Sequence, residues 1–377
     1  MTVQLGYDED HALLREQARR WLAGRVTPAE LRRLASDARG DEPAWWKLLS
    51  ELGWAGLVAP EKCGGAGLGA VALAVLCEET GRALLPSPVL ATLLASKLIE
   101  LAANDAQRER WLPRIARGEA LATIAHVEAR GVWEADATSA QLDAGRVSGA
   151  KAHVWAAPTA QLFVVPVREQ AGGDASRALR IAVVEANAPG VTALAEATLD
   201  ASRRQGRVHF ERAECDVLAG DGDAAWRAWR PWAQTALAAE MAGGADAALV
   251  MTAAYAQTRV QFDRPIGSFQ AIKHPLVNVL VAIEQLRTLV YTAASALDAG
   301  SSEAPLLARM AKAAASEAYP FACSRAVQFH GGYGFTEDCD AHLYLRRALA
   351  SRPAFGDARE QRAAIASALL EGGAELP

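Results

Sequence analysis

Cysteine is scarce in this chain, and the few present are not spaced to pair. Cys63, Cys77, Cys215, Cys323 and Cys339 are the only five among 377 residues. An odd, scattered set without a CxxC spacing excludes a disulfide scaffold and a cysteine-based zinc site, so no metal is expected. Long basic runs are also missing: 39 Lys and Arg stand against 44 Asp and Glu, a net charge of −5. Neutralising phosphates needs a clustered cationic surface, so nucleic acid is not expected as a partner. Met1 to Asp10 shows no basic segment leading into an apolar one, so no secretory signal is expected and the cytoplasm is the default location. The longest apolar stretch, Thr235 to Tyr255, is broken by Glu240 and Asp246 and is rich in Ala and Gly. It reads as a buried helix and not as a membrane span.

Hydrophobic residues make up 51% of the chain and charged ones 22%, the balance of a globular protein long enough for two or three packed domains. From Asp8 to Gly118 apolar positions recur at three and four, as in the stripe Leu13, Leu14, Ala18, Trp21 and Leu22, which predicts helices. Breaks fall at Gly64-Gly65-Ala66-Gly67 and at Leu85-Pro86-Ser87-Pro88. From Leu121 to Leu218 short apolar runs alternate with turn residues: Ala122 to Ala125, Arg146 to Val154, Leu162 to Val167, Leu179 to Val184 and Arg207 to Phe210. Asp143-Ala144-Gly145 predicts a hairpin turn, and 170–176 predicts a mobile loop. From Asp221 onward long Ala-rich helices return, without repeats or a heptad zipper. Helices, then strands, then helices do not fit an alternating α/β sheet protein. The expected class is multi-domain α+β: an N-terminal α-helical domain (1–118), a middle antiparallel β domain of barrel type (119–220) and a C-terminal four-helix bundle (221–377).

Two segments carry the chemistry. In Arg259-Val260-Gln261-Phe262-Asp263-Arg264-Pro265-Ile266-Gly267-Ser268-Phe269-Gln270 a long helix ends on an arginine, turns, and a new helix begins. A guanidinium at such a corner can clamp a pyrophosphate bidentately, and Phe262 offers a flat face. Taken alone, the segment is equally a helix hairpin whose arginine caps carbonyls and whose aromatics fill a core. In Gln328-Phe329-His330-Gly331-Gly332-Tyr333-Gly334-Phe335 three glycines let backbone approach a ligand closely, or simply end a helix.

Together, Arg-x-Gln-Phe-x-x-Pro-Ile-x-x-Phe-Gln and the later Gln-x-His-Gly-Gly-x-Gly-Phe resemble the acyl-CoA dehydrogenase family. Ala59-Pro60-Glu61-Lys62-Cys63-Gly64-Gly65-Ala66-Gly67-Leu68 and Ser148-Gly149-Ala150-Lys151 resemble further family segments, so the likeness spans nearly the whole chain. The resemblance implies that Arg259 holds the pyrophosphate of FAD with Phe262 and Gln270 beside it, and that Gln328, Gly331 and Gly332 contact the adenosine side. In the family these groups serve a flavin seated in a neighbouring subunit, which implies at least a dimer. The implied reaction removes two hydrogens across the α,β carbons of an acyl-CoA thioester: hydrogen bonds acidify the α-proton, a carboxylate takes it, and flavin N5 accepts the β-hydride. Electron-transfer flavoprotein is the implied electron acceptor.

The family's base positions are altered here. One place reads Ala354-Phe355-Gly356 and the other Ala233, and neither side chain takes a proton. Glu240, seven residues beyond Ala233 on nearly the same helix face, is the remaining candidate. A carboxylate in that apolar stretch is either a base with a raised pKa or a packing residue tied to an arginine. Glu337, just after the glycine turn, is expected to make a structural salt bridge. The run Gly331 to Glu337 with Asp340-Ala341-His342-Leu343-Tyr344-Leu345-Arg346-Arg347-Ala348 is similar to a subgroup that acts on steroid side chains or ring-derived acyl-CoA esters, often as paired unlike subunits. In the middle domain Val127-Glu128-Ala129, Val132-Trp133-Glu134 and His153-Val154-Trp155 stand where the family places flavin contacts. His126 and His153 are polar replacements or packing residues, and Trp133 or Trp155 fills space a ring or acyl chain needs. Three readings stay open: a flavin dehydrogenase subunit using Glu240, a non-catalytic partner completing a related chain's FAD site in a heterotetramer, and a flavin oxidase on the same scaffold.

Overall fold

The computed structural model describes residues 6–37, 43–128, 138–169 and 178–371. The predicted loop at 170–176 and the substituted positions Ala129, Val132, Trp133 and Glu134 lie outside the described residues. The chain groups into two compact units, one of residues 1–32, 69–85 and 231–377, the other of 33–68 and 86–230.

The first unit is helical. Helix α1 (Glu9–Ala23) starts at Asp8, whose carboxylate accepts from His11 N while the His11 ring accepts from Asp8 N, a reciprocal cap. Of the predicted stripe, Ala18 and Leu22 are buried and Leu13 is 53% exposed, so the apolar face is narrower than its periodicity implied. Helix α2 (Pro28–Ser36) follows. Helix α4 (Ala70–Arg82) is capped from a distance: Ala70 N and Val71 N donate to Asp298 of α8 (Gln270–Asp298) at 2.5 and 3.0 Å. A side chain at Gly69 would collide with that carboxylate, which explains the glycine. Helices α7 (Gly222–Thr258) and α9 (Ala304–His330) are the other long helices, and α10 (Ala341–Ser351) and α11 (Ala358–Glu371) complete the set. Gly243 and Gly244 admit neighbours closely: an added Cβ at Gly243 would sit 1.8 Å from Glu78 O, and one at Gly244 2.3 Å from the Tyr319 hydroxyl. These glycines serve helix packing.

Buried charge ties this unit together. Glu78 and Glu79 on α4 are each 1% exposed. Glu78 accepts from Arg15, from Arg287 at 2.9 Å and from the Tyr291 hydroxyl at 2.7 Å, and Glu79 is gripped by Arg19 through two nitrogens at 3.0 and 2.8 Å. Arg82 pairs with Asp246 on α7. Burial alone would raise the Glu78 pKa, but Arg15, Arg287 and the Tyr291 hydroxyl outweigh it and hold the group below its ordinary 4.5. A carboxylate whose folded pKa lies below its unfolded one stabilises the fold fully above the unfolded pKa, and that stabilisation disappears as pH falls through the folded pKa. The melting temperature is therefore expected to drop steeply below about pH 4. In Glu78→Gln the drop is expected to be shallower, from a baseline lower by about 3–5 kcal/mol, because its arginines lose their counter-charge. Thermal unfolding from acid to neutral pH checks both, and an unchanged acid slope in the variant would refute the assignment.

The second unit holds α3 (Pro43–Glu51), α5 (Val89–Ala102), α6 (Asp105–Ala116) and an eight-stranded sheet. The strands are β1 (Ala122–Ile124), β2 (Gln141–Asp143), β3 (Arg146–Trp155), β4 (Leu162–Glu169), β5 (Leu179–Glu185), β6 (Val191–Glu196), β7 (Gln205–Glu214) and β8 (Asp216–Val217). Their order is β6-β7-β3-β2-β4-β5-β8. Most pairs are antiparallel, as the alternation implied, but β1 and β2 both run parallel to β4 along one edge, so the sheet is mixed. Among the described residues the ladder ends at β6 and β8 and does not close into a ring. The predicted hairpin is present, with Asp143 opposite Arg146 and both Ala144 and Gly145 at positive φ, the turn geometry that matches strand twist. One face packs Val147, Val154, Phe163, Val165, Val208 and Phe210 into a core. Phe163 and Phe210 meet edge to face at 6.0 Å.

Candidate functional site

Helix α7 ends at Thr258, and the chain reverses through a short hairpin of β9 (Val260–Gln261) and β10 (Arg264–Pro265). Its two loop residues, Phe262 and Asp263, both have positive φ, a strained choice for a bulky side chain. The result is a phenyl ring 86% exposed, meeting Phe269 edge to face at 6.0 Å. Arg259 N donates to Tyr255 O at 2.9 Å and Arg259 O accepts from Ile266 N at 2.8 Å, which fixes the corner and leaves the Arg259 side chain exposed. Gln270 opens α8.

The glycine turn lies beside this corner. Tyr255, one helical turn before Arg259, stacks on His330 with ring centroids 4.3 Å apart, and Tyr333 adds a third ring 6.3 Å from each. His330 Nδ1 is 2.7 Å from Ala326 O, so that nitrogen carries the proton and orients the ring. Gly331 N donates to Gln328 O, and Gly331 adopts φ +62°, a conformation that favours glycine. A Cβ at Gly331 or Gly332 would meet nothing within 4 Å, so backbone is open to close approach there. The two motifs, about seventy residues apart, are thus one surface. Arg259, Phe262, Gln270, Gln328, Gly331 and Gly332 are all exposed in the single chain, with no wall of the unit closing over them.

The two altered base positions also come together. Ala233 and Phe355 are both buried, and Gln234 Nε2 donates to Phe355 O at 3.3 Å and to Gln361 Oε1 at 3.1 Å. Seven residues along a helix is about 10 Å, so Glu240 lies well away from that place. Glu240 is 4% exposed and Arg347, on α10, is 1% exposed; Arg347 Nη1 reaches Glu240 Oε1 at 2.5 Å. That geometry favours the packing role over the base. Arg347 was visible in the sequence only as one of two adjacent arginines; its burial is a tertiary fact. The structural salt bridge expected of Glu337 falls to its neighbour: Arg32 pairs with Asp340 at 2.6 Å and donates to the backbone oxygen of Glu337 at 3.0 and 2.8 Å.

In the second unit the family-like lysine is buried and engaged. Lys151 Nζ reaches Glu128 Oε1 and Thr138 Oγ1, each at 2.5 Å, and Glu128 also accepts from Ser139 N and Oγ. His126 is buried against Trp226 and Trp229, and burial first, then the Lys151 charge, push its pKa down to about 3, so it is neutral. His153 is exposed at positive φ and pairs with Glu196 at 3.4 Å. Trp155 is 9% exposed with the Arg203 guanidinium 4.6 Å above its ring, and the two form one wall of a cleft with Pro86, Pro88 and Ser202.

Residues 8–119 match the acyl-CoA dehydrogenase N-terminal domain and residues 231–370 the acyl-CoA dehydrogenase C-terminal domain. The chain belongs to the acyl-CoA dehydrogenase family, a family of flavoprotein oxidoreductases. Among its relatives, it is 34% identical to the acyl-CoA dehydrogenase IpdE2 of Mycobacterium tuberculosis over 354 residues, 93% of this chain and 95% of that one. It is 31% identical to FadE34 of the same organism over 341 residues, 89% of this chain and 44% of that longer protein. Of solved structures, a variant of the steroid ACAD Tcur3481-Tcur3483 superposes with a TM-score of 0.88 at 31% identity, covering 99% of this chain and 100% of that one. The ChsE4-ChsE5 complex of M. tuberculosis does so with 0.88 at 26%, over 99% and 100%.

Proposed function

We propose that the chain acts in FAD-dependent α,β-dehydrogenation of a bulky acyl-CoA thioester, as a subunit of a homo-oligomer or of a heterotetramer with a related chain. The observation that carries this is the joining of the Arg259 corner and the Gly331-Gly332 turn through the Tyr255–His330 stack. The donor set fits a dinucleotide: an exposed guanidinium for the pyrophosphate, amides at Gln270 and Gln328, a free aromatic face at Phe262 and two glycines with open space over them. Bound FAD supplies the hydride acceptor. Because one side of this surface is bare, a neighbouring subunit is needed to close it. The exposed Val277, Leu280 and Val281 on α8 support such an association. The steroid ACAD among the similar structures supports a bulky, ring-bearing acyl group. Electron-transfer flavoprotein as acceptor, a cytoplasmic location and domain limits at 118/119 and 220/221 complete the proposal.

A second reading has its own observation. Glu240 is locked to Arg347 and the usual base places hold Ala233 and Phe355, so this chain completes the FAD site of a partner that carries the base. The absorbance spectrum of the purified chain separates the two. A yellow protein that bleaches anaerobically with acyl-CoA supports the first reading; a colourless chain that gains flavin only with its sister subunit supports the second. Full turnover in Glu240→Gln removes Glu240 as the base.

A further inference from the structure

Lys312 on α9 is a buried lysine with no carboxylate in hydrogen-bond contact among the described residues. It is 0% exposed, and its Nζ lies 2.7 Å from Ser316 Oγ, 2.9 Å from Arg352 O and 3.0 Å from Gly356 O. The two carbonyls flank Phe355, which occupies the altered base position at φ +57°. Gln361 Nε2 donates to Phe355 O at 2.7 Å, so three carbonyls of this short turn are held by side chains. Burial pulls Lys312 down to about 7, against the raising charges of Asp357 and Glu360 on the α11 side, with Arg352 at the end of α10 also lowering it. Its amine therefore exists in both states near neutral pH.

The two states make different demands. An ammonium has three N–H groups, one for each neighbour. A neutral amine has two, plus a lone pair that would face an oxygen. Carbonyl oxygens only accept, but a hydroxyl can reverse. Ser316 Oγ also lies 3.3 Å from Arg352 O, so its proton has somewhere to point while Lys312 is charged. On deprotonation the hydroxyl can swing to the amine lone pair, leaving both remaining N–H groups on the carbonyls of 352 and 356.

We propose that Lys312 and Ser316 form a proton-compensating clamp that holds the Arg352–Gly356 turn, and Phe355 with it, in one position whichever protonation state the amine takes. Ser316 is then a positioning residue. The clamp stands on its own geometry; its bearing on turnover rests on the proposed dehydrogenase function.

Hydrogen exchange of the turn, corrected for the intrinsic pH dependence of amide exchange, tests it. Ala354 N and Gly356 N donate to Ser351 O and Pro353 O and report whether the turn is closed. In the native protein protection is expected to be equal at about pH 6 and about pH 9. Ser316→Ala should match it at the higher pH, where two N–H groups still reach both carbonyls, and lose about tenfold at the lower, where the third N–H of the ammonium has no acceptor. Ser316→Thr, which keeps the hydroxyl, should restore it, and Lys312→Met should be poorly protected at both. Equal protection of Ser316→Ala at both values overturns the clamp, even if Lys312→Met does not fold. If the exchange pattern is as expected but the native oligomer with FAD turns over no acyl-CoA, the clamp stands and the dehydrogenase reading fails.

Discussion

The Arg259→Ala protein is expected to leave purification without flavin. A charge-assisted bidentate contact to a pyrophosphate contributes about 1.5–3 kcal/mol, a factor of roughly 10–100 in affinity, and a neutral methyl replaces none of it. Arg259 is exposed and only its backbone is engaged in the corner, so the melting temperature of the apo chain should hardly move. Flavin fluorescence titration measures the first effect and thermal unfolding the second. Arg259→Lys should recover only part of the affinity, since an ammonium keeps the charge but not the planar fork. If Arg259→Ala bound FAD as tightly as the native protein, the assignment of this corner to the cofactor would be lost.

The second large effect concerns the Glu240–Arg347 pair. Arg347→Met removes a buried counter-charge of Glu240 and is expected to cost about 3–5 kcal/mol. The double variant Glu240→Leu with Arg347→Met removes both charges and should recover most of that loss, because two desolvated ions give way to apolar packing. Urea unfolding of the native protein, Arg347→Met, Glu240→Leu and the double variant measures the coupling. Activity divides the roles: under the packing role the double variant keeps turnover, whereas under the base role it is inactive while folded. A double variant as unstable as Arg347→Met would mean the pair is held by more than its own charges.

Much of this architecture was legible before any coordinates. Helix periods of three and four, strand alternation and Gly or Pro breaks produced the order of helices, strands and helices, because those signals are local. The turn at Asp143-Ala144-Gly145 was readable for the same reason. The parallel pairing of β1 and β2 with β4 was not, since it joins segments whose own sequences carry no mark of direction. The cap on α4 was likewise hidden: its donor helix starts at a plain Gly-Ala, and the acceptor, Asp298, lies 228 residues on. Leu13 shows the reverse failure, a residue with the right spacing on a face that this chain does not cover.

Sequence alone determined the family and the helix–sheet–helix order, since motif residues and local periodicity are carried by the chain itself. Tertiary structure alone decided that the Arg259 corner and the Gly331 turn share one surface, that Glu240 is matched by Arg347, and that Lys312 supports the turn bearing Phe355. Each of those depends on which side chains burial brings within a few ångströms, and burial is a property of the folded whole.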